Sequence, residues 1–160
     1  MVRRLSTDAR RQVLTSAGEE ARRRGDRRVG TDHLLLGLLD DANSAASRAL
    51  GVDLASAREA SAALDRAALA AVGVDAGEVG FLTPPRLMRG RRTLPLTSGA
   101  RAVLQRGVIE ARATKTKSIE SSHLLLGILA RARPDPAAEL LAALGVDPAE
   151  ARERLRLSAN

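Results

Sequence analysis

In this sequence of 160 residues, the two histidines are the side chains best suited to catalysis or to metal binding. His33 and His123 each begin the same five residues, His-Leu-Leu-Leu-Gly. Histidine serves in acid–base catalysis and in metal binding, but a metal site needs several converging ligands, and the sequence holds no cysteine and no third histidine. We therefore expect no metal and no cofactor, and a structural role in which both histidines hydrogen-bond between helices.

Motifs of two large enzyme classes are absent from the sequence. No G-x-x-x-x-G-K-[ST] segment is present to cradle the phosphates of ATP, and no G-x-S-x-G marks a serine nucleophile. The acidic pairs Glu19-Glu20 and Asp40-Asp41 are adjacent residues, and adjacent helical side chains point in different directions rather than forming a catalytic dyad. The sequence predicts that the chain is not an enzyme.

A formal net charge of +7 raises the alternative of a small basic helical protein that associates with nucleic acid. The excess is spread along the chain apart from one dense cluster, Arg86, Arg89, Arg91 and Arg92, in a segment rich in Gly and Pro. That cluster has no interleaved aromatic residues for base stacking, so a solvated loop is the favoured interpretation. Nucleic-acid binding is kept as the second hypothesis.

An internal repeat organises the chain. The segment from His33 to Gly37 returns unchanged 90 residues later, and Thr7 then corresponds to Thr97; further on, Leu50-Gly51-Val52-Asp53 returns as residues 144–147 at an offset of 94. In the first copy the capping and breaking residues predict four helices, which begin at Ser6 or Thr7, Thr31, Ala45 and Asp53 and end near Gly25, Leu39, Gly51 and Ala71. Thr97 and Ser121 are the matching predicted caps in the second copy.

The expected fold class is all-α, with eight helices as two pseudo-twofold-related four-helix repeats. A core with a single Phe and no Tyr or Trp must be filled by aliphatic residues, which favours packed helices over sheets. We predict one domain over residues 1–160, with repeat one at about 5–72, a connecting loop at about 73–95 and repeat two at about 96–158.

The apolar runs are too short to cross a bilayer, and no apolar stretch follows the arginines of the N-terminus as a secretory signal requires. A cytoplasmic protein without membrane association is the resulting expectation.

The repeated motif resembles the Clp N-terminal domain, most closely that of ClpC-type unfoldases. The resemblance rests on the stretch from Thr31 to Leu39, on Glu19-Glu20-Ala21-Arg22 and on Val29-Gly30, and it covers nearly the whole chain. It implies an all-helical, two-repeat receptor for substrates and adaptors, here without the ATPase ring that it serves. Implied partners are protein or peptide substrates, adaptors, a Clp ATPase and cyclic-peptide antibiotics of the kind that bind actinobacterial members.

The same resemblance implies a phosphoarginine site in each repeat, formed by the Thr of the first helix and the residue before the motif histidine. These residues are Thr7 with Asp32 in the first repeat and Thr97 with Ser122 in the second. A helix N-terminus with a hydroxyl can hold the phosphate while a carboxylate pairs with the guanidinium. Asp32 is one methylene shorter than the family's Glu, and Ser122 carries no charge.

A hydrophobic peptide surface is the second implied site, at the Phe-Thr-Pro that opens the second repeat of ClpC-type domains. In this chain the pattern is split, because Phe81-Leu82 precedes Thr83-Pro84 while the repeat register places Leu96 before Thr97. Phe81, Leu82 and Leu96 are therefore the candidate residues of this surface, with core packing between the repeats as the alternative for Phe81.

Overall fold

A computed structural model describes residues 7–75 and 93–159, and within these ranges the chain is all-α, as predicted. Eight helices lie in this part of the chain: α1 (Asp8–Arg24), α2 (Thr31–Leu39), α3 (Ala45–Leu50), α4 (Leu54–Ala71), α5 (Ser98–Ala113), α6 (Ser121–Leu129), α7 (Pro136–Ala143) and α8 (Pro148–Ser158). None of them is both long and apolar enough to span a membrane.

Most helix ends follow from the residues that mark them. Gly25 and Gly51 end α1 and α3 in the left-handed conformation that glycine adopts without a Cβ penalty. Asp53 begins α4 by accepting the amide hydrogen of Ser56, and Thr97 begins α5 in the same way with Ala100. Thr7 occupies the cap position of α1, but its side chain makes no capping bond.

The predicted caps of α2 and α6 are wrong. Gly30 and Glu120 occupy the cap positions, so Thr31 and Ser121 are the first helical residues. Each hydroxyl instead reaches the opposite repeat: Thr31 Oγ1 accepts the Ala137 amide of α7 at 3.1 Å, and Ser121 Oγ accepts the Ala46 amide of α3 at 3.4 Å. The reciprocal pair interlocks the two sets of four helices about an approximate twofold axis.

The core is built around α2 and α6, the two leucine-rich helices. Leu34, Leu35, Leu36 and Leu38 in α2 are at most 1 % exposed, and Leu124, Leu125 and Ile128 in α6 are equally buried. Both helices are short and apolar on every side, which fits central elements surrounded by others. α2 packs on α1 and α6 packs on α5, while α2 also contacts α7 and α3 contacts α8 across the repeats.

Glycines set the closest helix crossings. A Cβ added at Gly37 of α2 would lie 2.7 Å from the carbonyl oxygen of Val13 in α1, and one added at Gly127 of α6 would lie 2.6 Å from that of Val103 in α5. Backbone atoms cannot be displaced as a flexible side chain can. The repeated motif therefore ends in glycine because each central helix touches the backbone of its neighbour.

The extended residues before α5 pair with the first repeat. Val29 and Leu96 form an isolated parallel bridge, in which the Val29 amide donates to Pro95 O and the Thr97 amide donates to Val29 O, both at 2.9 Å. This bridge holds the start of the second repeat against the turn between α1 and α2. It positions both candidate sites described next.

Candidate binding groove and cleft

A groove runs along the outer face of α1 and has a volume of about 550 Å³. Its far wall is the extended segment that carries Leu94 and Leu96. We call it the α1 groove, and its lining residues are Thr7, Arg10, Arg11, Leu14, Thr15, Gly18, Arg22, Val29, Thr93, Leu94 and Leu96. The α1 members recur every three or four residues, so they share one face of the helix, which lies about 100° around the axis from the core residues Val13, Ala17 and Ala21.

Two features of the sequence leave this groove open. Gly18 contributes no side chain, and a Cβ built there would meet only the end of the Arg22 side chain, at 3.7 Å. The bridge to Val29 holds Leu96 beside the helix, where it is half-buried. In the second repeat the position of Gly18 is taken by Val108, and Leu104 is buried where its counterpart Leu14 is half-buried. The repeats therefore differ at this face of their first helices.

Of the residues predicted to form a hydrophobic peptide surface, Leu96 lines the α1 groove. Phe81 and Leu82 lie outside the described residues, as does the arginine cluster from Arg86 to Arg92. Leu94, which sequence analysis did not single out, joins Leu96 on the groove wall. The sequence could have indicated Leu94, because apolar side chains two residues apart on an extended segment point to the same side.

A second candidate site, which we call the Gly30 cleft, lies where the N-termini of α2 and α5 approach each other. A Cβ built on Gly30 would lie 2.8 Å from Asp32 Oδ1 and 3.9 Å from Thr97 Cγ2, so Asp32 and Thr97 flank this glycine from opposite repeats. A carboxylate and the N-terminus of α5, which Thr97 caps, thus lie beside the same glycine. That combination is suited to a ligand carrying both an anion and a cation.

The predicted pairing of site residues within each repeat is not the one that the geometry gives. Asp32 bonds to Arg24, which is about 25 Å along α1 from Thr7 at a rise of 1.5 Å per residue. In the second repeat, His123 beside Ser122 bonds to Thr114 at the end of α5 remote from Thr97. The two residues of each predicted pair are separated by the length of a helix, and Asp32 and Thr97 instead lie beside the same residue, Gly30.

Asp32 is already paired within the chain. Arg24 donates from Nη1 to Asp32 Oδ2 at 2.7 Å and from Nη2 to Asp65 Oδ2 of α4 at 2.8 Å, and its Nε lies 3.5 Å from Asp26 Oδ2. Burial alone would lower the pKa of Arg24, but the bond to Asp32 and the charges of the three carboxylates raise it. Because the side chain of Asp32 is only 15 % exposed, an incoming guanidinium competes directly with Arg24.

Both histidines organise the turn that precedes their helix. His33 Nδ1 accepts the amide hydrogen of Gly30 at 2.9 Å, so its Nε2 carries the proton and donates to Asp26 Oδ2 at 2.8 Å. His123 repeats the arrangement with the Glu120 amide at 3.0 Å and with Thr114 Oγ1 at 3.1 Å. Each histidine thereby joins the end of one helix to the start of the next.

Burial, together with the neighbouring bonds and charges, shifts the pKa values of two residues in these turns. Burial lowers the pKa of His123, against the opposing charges of Glu120 and Glu110, so the neutral ring that accepts the Glu120 amide is favoured. Burial would raise the pKa of Asp26, but the bond from His33 and the charge of Arg24 lower it. Within residues 7–75 and 93–159 no group of three or more acidic or histidine side chains is arranged to hold a metal ion.

Comparison with known proteins supports the repeat and the motif. The family Clp repeat (R) N-terminal domain matches residues 5–135. The chain is 34 % identical over 148 residues to the chloroplastic chaperone protein ClpC1 of Oryza sativa subsp. japonica, covering 90 % of this chain and 14 % of that protein. It is 28 % identical over 152 residues to the negative regulator of genetic competence ClpC/MecB of Bacillus subtilis, covering 93 % and 16 %.

The fold also matches a solved structure. The N-terminal domain of the chaperone ClpD from Arabidopsis thaliana superimposes with a TM-score of 0.70 at 20 % identity, covering 97 % of both chains. The present chain spans only about one seventh of the rice relative's length. The chain belongs to the Clp repeat N-terminal domain family, the non-catalytic N-terminal unit of ClpC-type chaperones.

Proposed function

We propose that this chain recognises peptide segments of substrate or adaptor proteins in the α1 groove and presents them to a Clp ATPase. The supporting observation is the groove itself: the half-buried Leu14, Leu94 and Leu96 offer apolar surface to solvent, beside a helix whose neighbouring face is buried in the core. A volume of about 550 Å³ is in the range of sites that hold a few side chains. A cyclic-peptide ligand is a further candidate for the same surface.

The wall of the groove is also suited to an extended ligand. Pro95 O and the Thr97 amide face Val29 in the bridge, and alternate residues of an extended chain point their backbone groups the opposite way. Among the described residues, the amides of Leu94 and Leu96 have no backbone partner. A peptide laid along this segment gains main-chain hydrogen bonds as well as apolar contacts.

Filling the groove tests the proposal. We expect Gly18→Val to weaken binding of a labelled leucine-containing peptide at least tenfold, measured by fluorescence anisotropy, because the new side chain occupies open groove space. Gly18→Ala adds one carbon and is the graded control, with a smaller loss. Both variants should retain the circular dichroism and the unfolding midpoint of the parent, or exceed them. Unchanged affinity in a folded Gly18→Val protein would contradict binding in the α1 groove.

Phosphoarginine binding in the Gly30 cleft is a second proposal, favoured by the approach of Asp32 and Thr97 across the repeats. The α5 N-terminus and the Thr97 hydroxyl would take the phosphate, and Asp32 would take the guanidinium. Because Arg24 already pairs with Asp32, the free amino acid has to displace an internal guanidinium. We expect weak binding for that reason.

NMR titration with phosphoarginine distinguishes this cleft from the pairing inferred by sequence. We expect amide shifts near Gly30 and Thr97, a roughly tenfold loss of affinity in Thr97→Val, and none in Thr7→Val. Thr97→Ser keeps both the hydroxyl and the helix cap, and should restore binding. Equal losses in Thr7→Val and Thr97→Val, or no shifts at millimolar ligand, would refute this assignment.

A further inference from the structure

We infer that Arg24 is an internal inhibitor of the Gly30 cleft, and that a ligand's guanidinium gains Asp32 by leaving Arg24 paired with Asp65 alone. The inference rests on the proposed binding of phosphoarginine in this cleft, since it specifies how the same site is regulated. Three properties of Arg24 carry it: the contact that it already makes, the contact that it would keep when displaced, and a donor that it leaves unused.

Arg24 already makes the contact that the ligand's guanidinium would make. Its Nη1 donates to Asp32 Oδ2 at 2.7 Å, the short distance of a charge-assisted hydrogen bond. The Asp32 side chain is 15 % exposed, so little of this carboxylate faces solvent. Two guanidinium groups on one carboxylate would repel each other, because like charges at close range are unfavourable. Binding of the ligand therefore requires Arg24 to leave Asp32.

Asp65 of α4 is a second carboxylate that can hold Arg24 after it leaves Asp32. Arg24 Nη2 donates to both oxygens of Asp65, at 3.0 Å to Oδ1 and 2.8 Å to Oδ2. The Asp65 side chain is 51 % exposed, so this contact lies nearer to solvent than the contact with Asp32. A displaced Arg24 thus keeps an anionic partner, and the large cost of a buried, unpaired charge is avoided.

One donor of Arg24 is unused in the internal arrangement. Among the described residues, Arg24 Nε is the buried side-chain nitrogen that has no hydrogen-bond partner. Asp26 Oδ2 lies 3.5 Å from it, but this oxygen accepts from His33 Nε2 at 2.8 Å. A buried donor without a partner is unfavourable, so the unused Nε makes Arg24 easier to displace than a fully bonded arginine.

Two variants, titrated with phosphoarginine and followed by the amide signals of Gly30 and Thr97, test this inference. We expect Arg24→Gln to bind about tenfold more tightly than the parent, because Asp32 no longer has an internal cation. Asp65→Asn should bind at least threefold more weakly, because a displaced Arg24 loses its second carboxylate. Net charge alone predicts the opposite sign for both variants, since phosphoarginine carries a net negative charge.

Arg58→Gln is the matched control for Arg24→Gln. Arg58 of α4 donates from Nε to the buried Glu20 of α1 at 3.0 Å, so this variant also removes one positive charge and one ion pair between α1 and α4. It should bind phosphoarginine no more tightly than the parent. Circular dichroism checks that each variant is folded, and the exposed position of Asp65 keeps the test open if Arg24→Gln does not fold.

The outcomes separate this inference from phosphoarginine binding itself. If folded Arg24→Gln binds no more tightly than the parent, while Thr97→Val loses binding, the cleft remains the site and the inhibitory role of Arg24 is overturned. Equal gains in Arg24→Gln and Arg58→Gln, or unchanged affinity in Asp65→Asn, would also overturn it. If neither the parent nor Arg24→Gln shows shifts at millimolar phosphoarginine, the proposed binding in the cleft fails as well.

Discussion

Replacing Gly127 with alanine is expected to lower the free energy of unfolding by about 3 kcal/mol, a loss typical of a substitution that overpacks a core. The added Cβ would lie 2.6 Å from Val103 O and 3.3 Å from Val103 Cγ1, so α5 and α6 must move apart. Gly37→Ala should behave alike, since its Cβ would lie 2.7 Å from Val13 O and 2.9 Å from the Ala17 amide nitrogen. Urea denaturation followed by circular dichroism measures both changes.

Gly18→Ala is the matched control for these two variants, because it introduces the same residue in the middle of a helix. Its Cβ meets only Arg22 Nη1, at 3.7 Å, so the higher helix propensity of alanine should stabilise the protein by up to about 1 kcal/mol. If Gly37→Ala and Gly127→Ala were as stable as Gly18→Ala, the close crossing of the central helices with α1 and α5 would be disproved.

The interlock between the repeats gives the second large effect. Thr31→Val should destabilise the domain by about 2 kcal/mol, because the 1 % exposed hydroxyl accepts the Ala137 amide and donates to Asp135 Oδ1 at 2.7 Å. Valine keeps the shape of threonine but removes both bonds, and the Ala137 amide and Asp135 Oδ1 keep only the 3.0 Å bond to each other. The expected cost is therefore that of two lost hydrogen bonds, at about 0.5–1.5 kcal/mol each. The midpoint of urea unfolding at constant m-value reports the loss.

Ser121→Ala is the control at the equivalent position of the other repeat. Ser121 is half-buried, and its hydroxyl accepts the Ala46 amide at the longer distance of 3.4 Å. We therefore expect the substitution to lower the free energy of unfolding by less than about 1 kcal/mol. A larger loss in Ser121→Ala than in Thr31→Val would show that the interlock does not depend on the bonds to Asp135 and Ala137.

The helices were largely predictable because their signals are local. Gly25, Gly51, Asp53 and Thr97 end or begin helices where the sequence places them, and the duplicated His-Leu-Leu-Leu-Gly motif identified the two central helices. The failures were the caps at Thr31 and Ser121. A hydroxyl that bonds across the molecule looks identical in sequence to one that caps its own helix, because both are small polar residues at a helix start.

The candidate sites depended on partners that the sequence could not reveal. The four residues from the family resemblance were paired within each repeat, yet the bridge between Val29 and Leu96 places Thr97 beside Gly30, next to which Asp32 of the other repeat also lies. Nor does the sequence show that Arg24 pairs with Asp32 and with Asp65, 41 residues further along the chain. Contacts between distant residues arise only when the helices pack.

The sequence alone determined the all-α class, the duplication and the family, because composition, helix signals and repeated motifs are properties of the chain read in order. The tertiary structure decided which surface is open and which charges are already paired. The space beside Gly18 forms a groove only because Leu96 is held next to α1. Asp32 is paired only because folding places Arg24 within hydrogen-bond distance of it. Binding surfaces depend on these long-range neighbours, and packing alone supplies them.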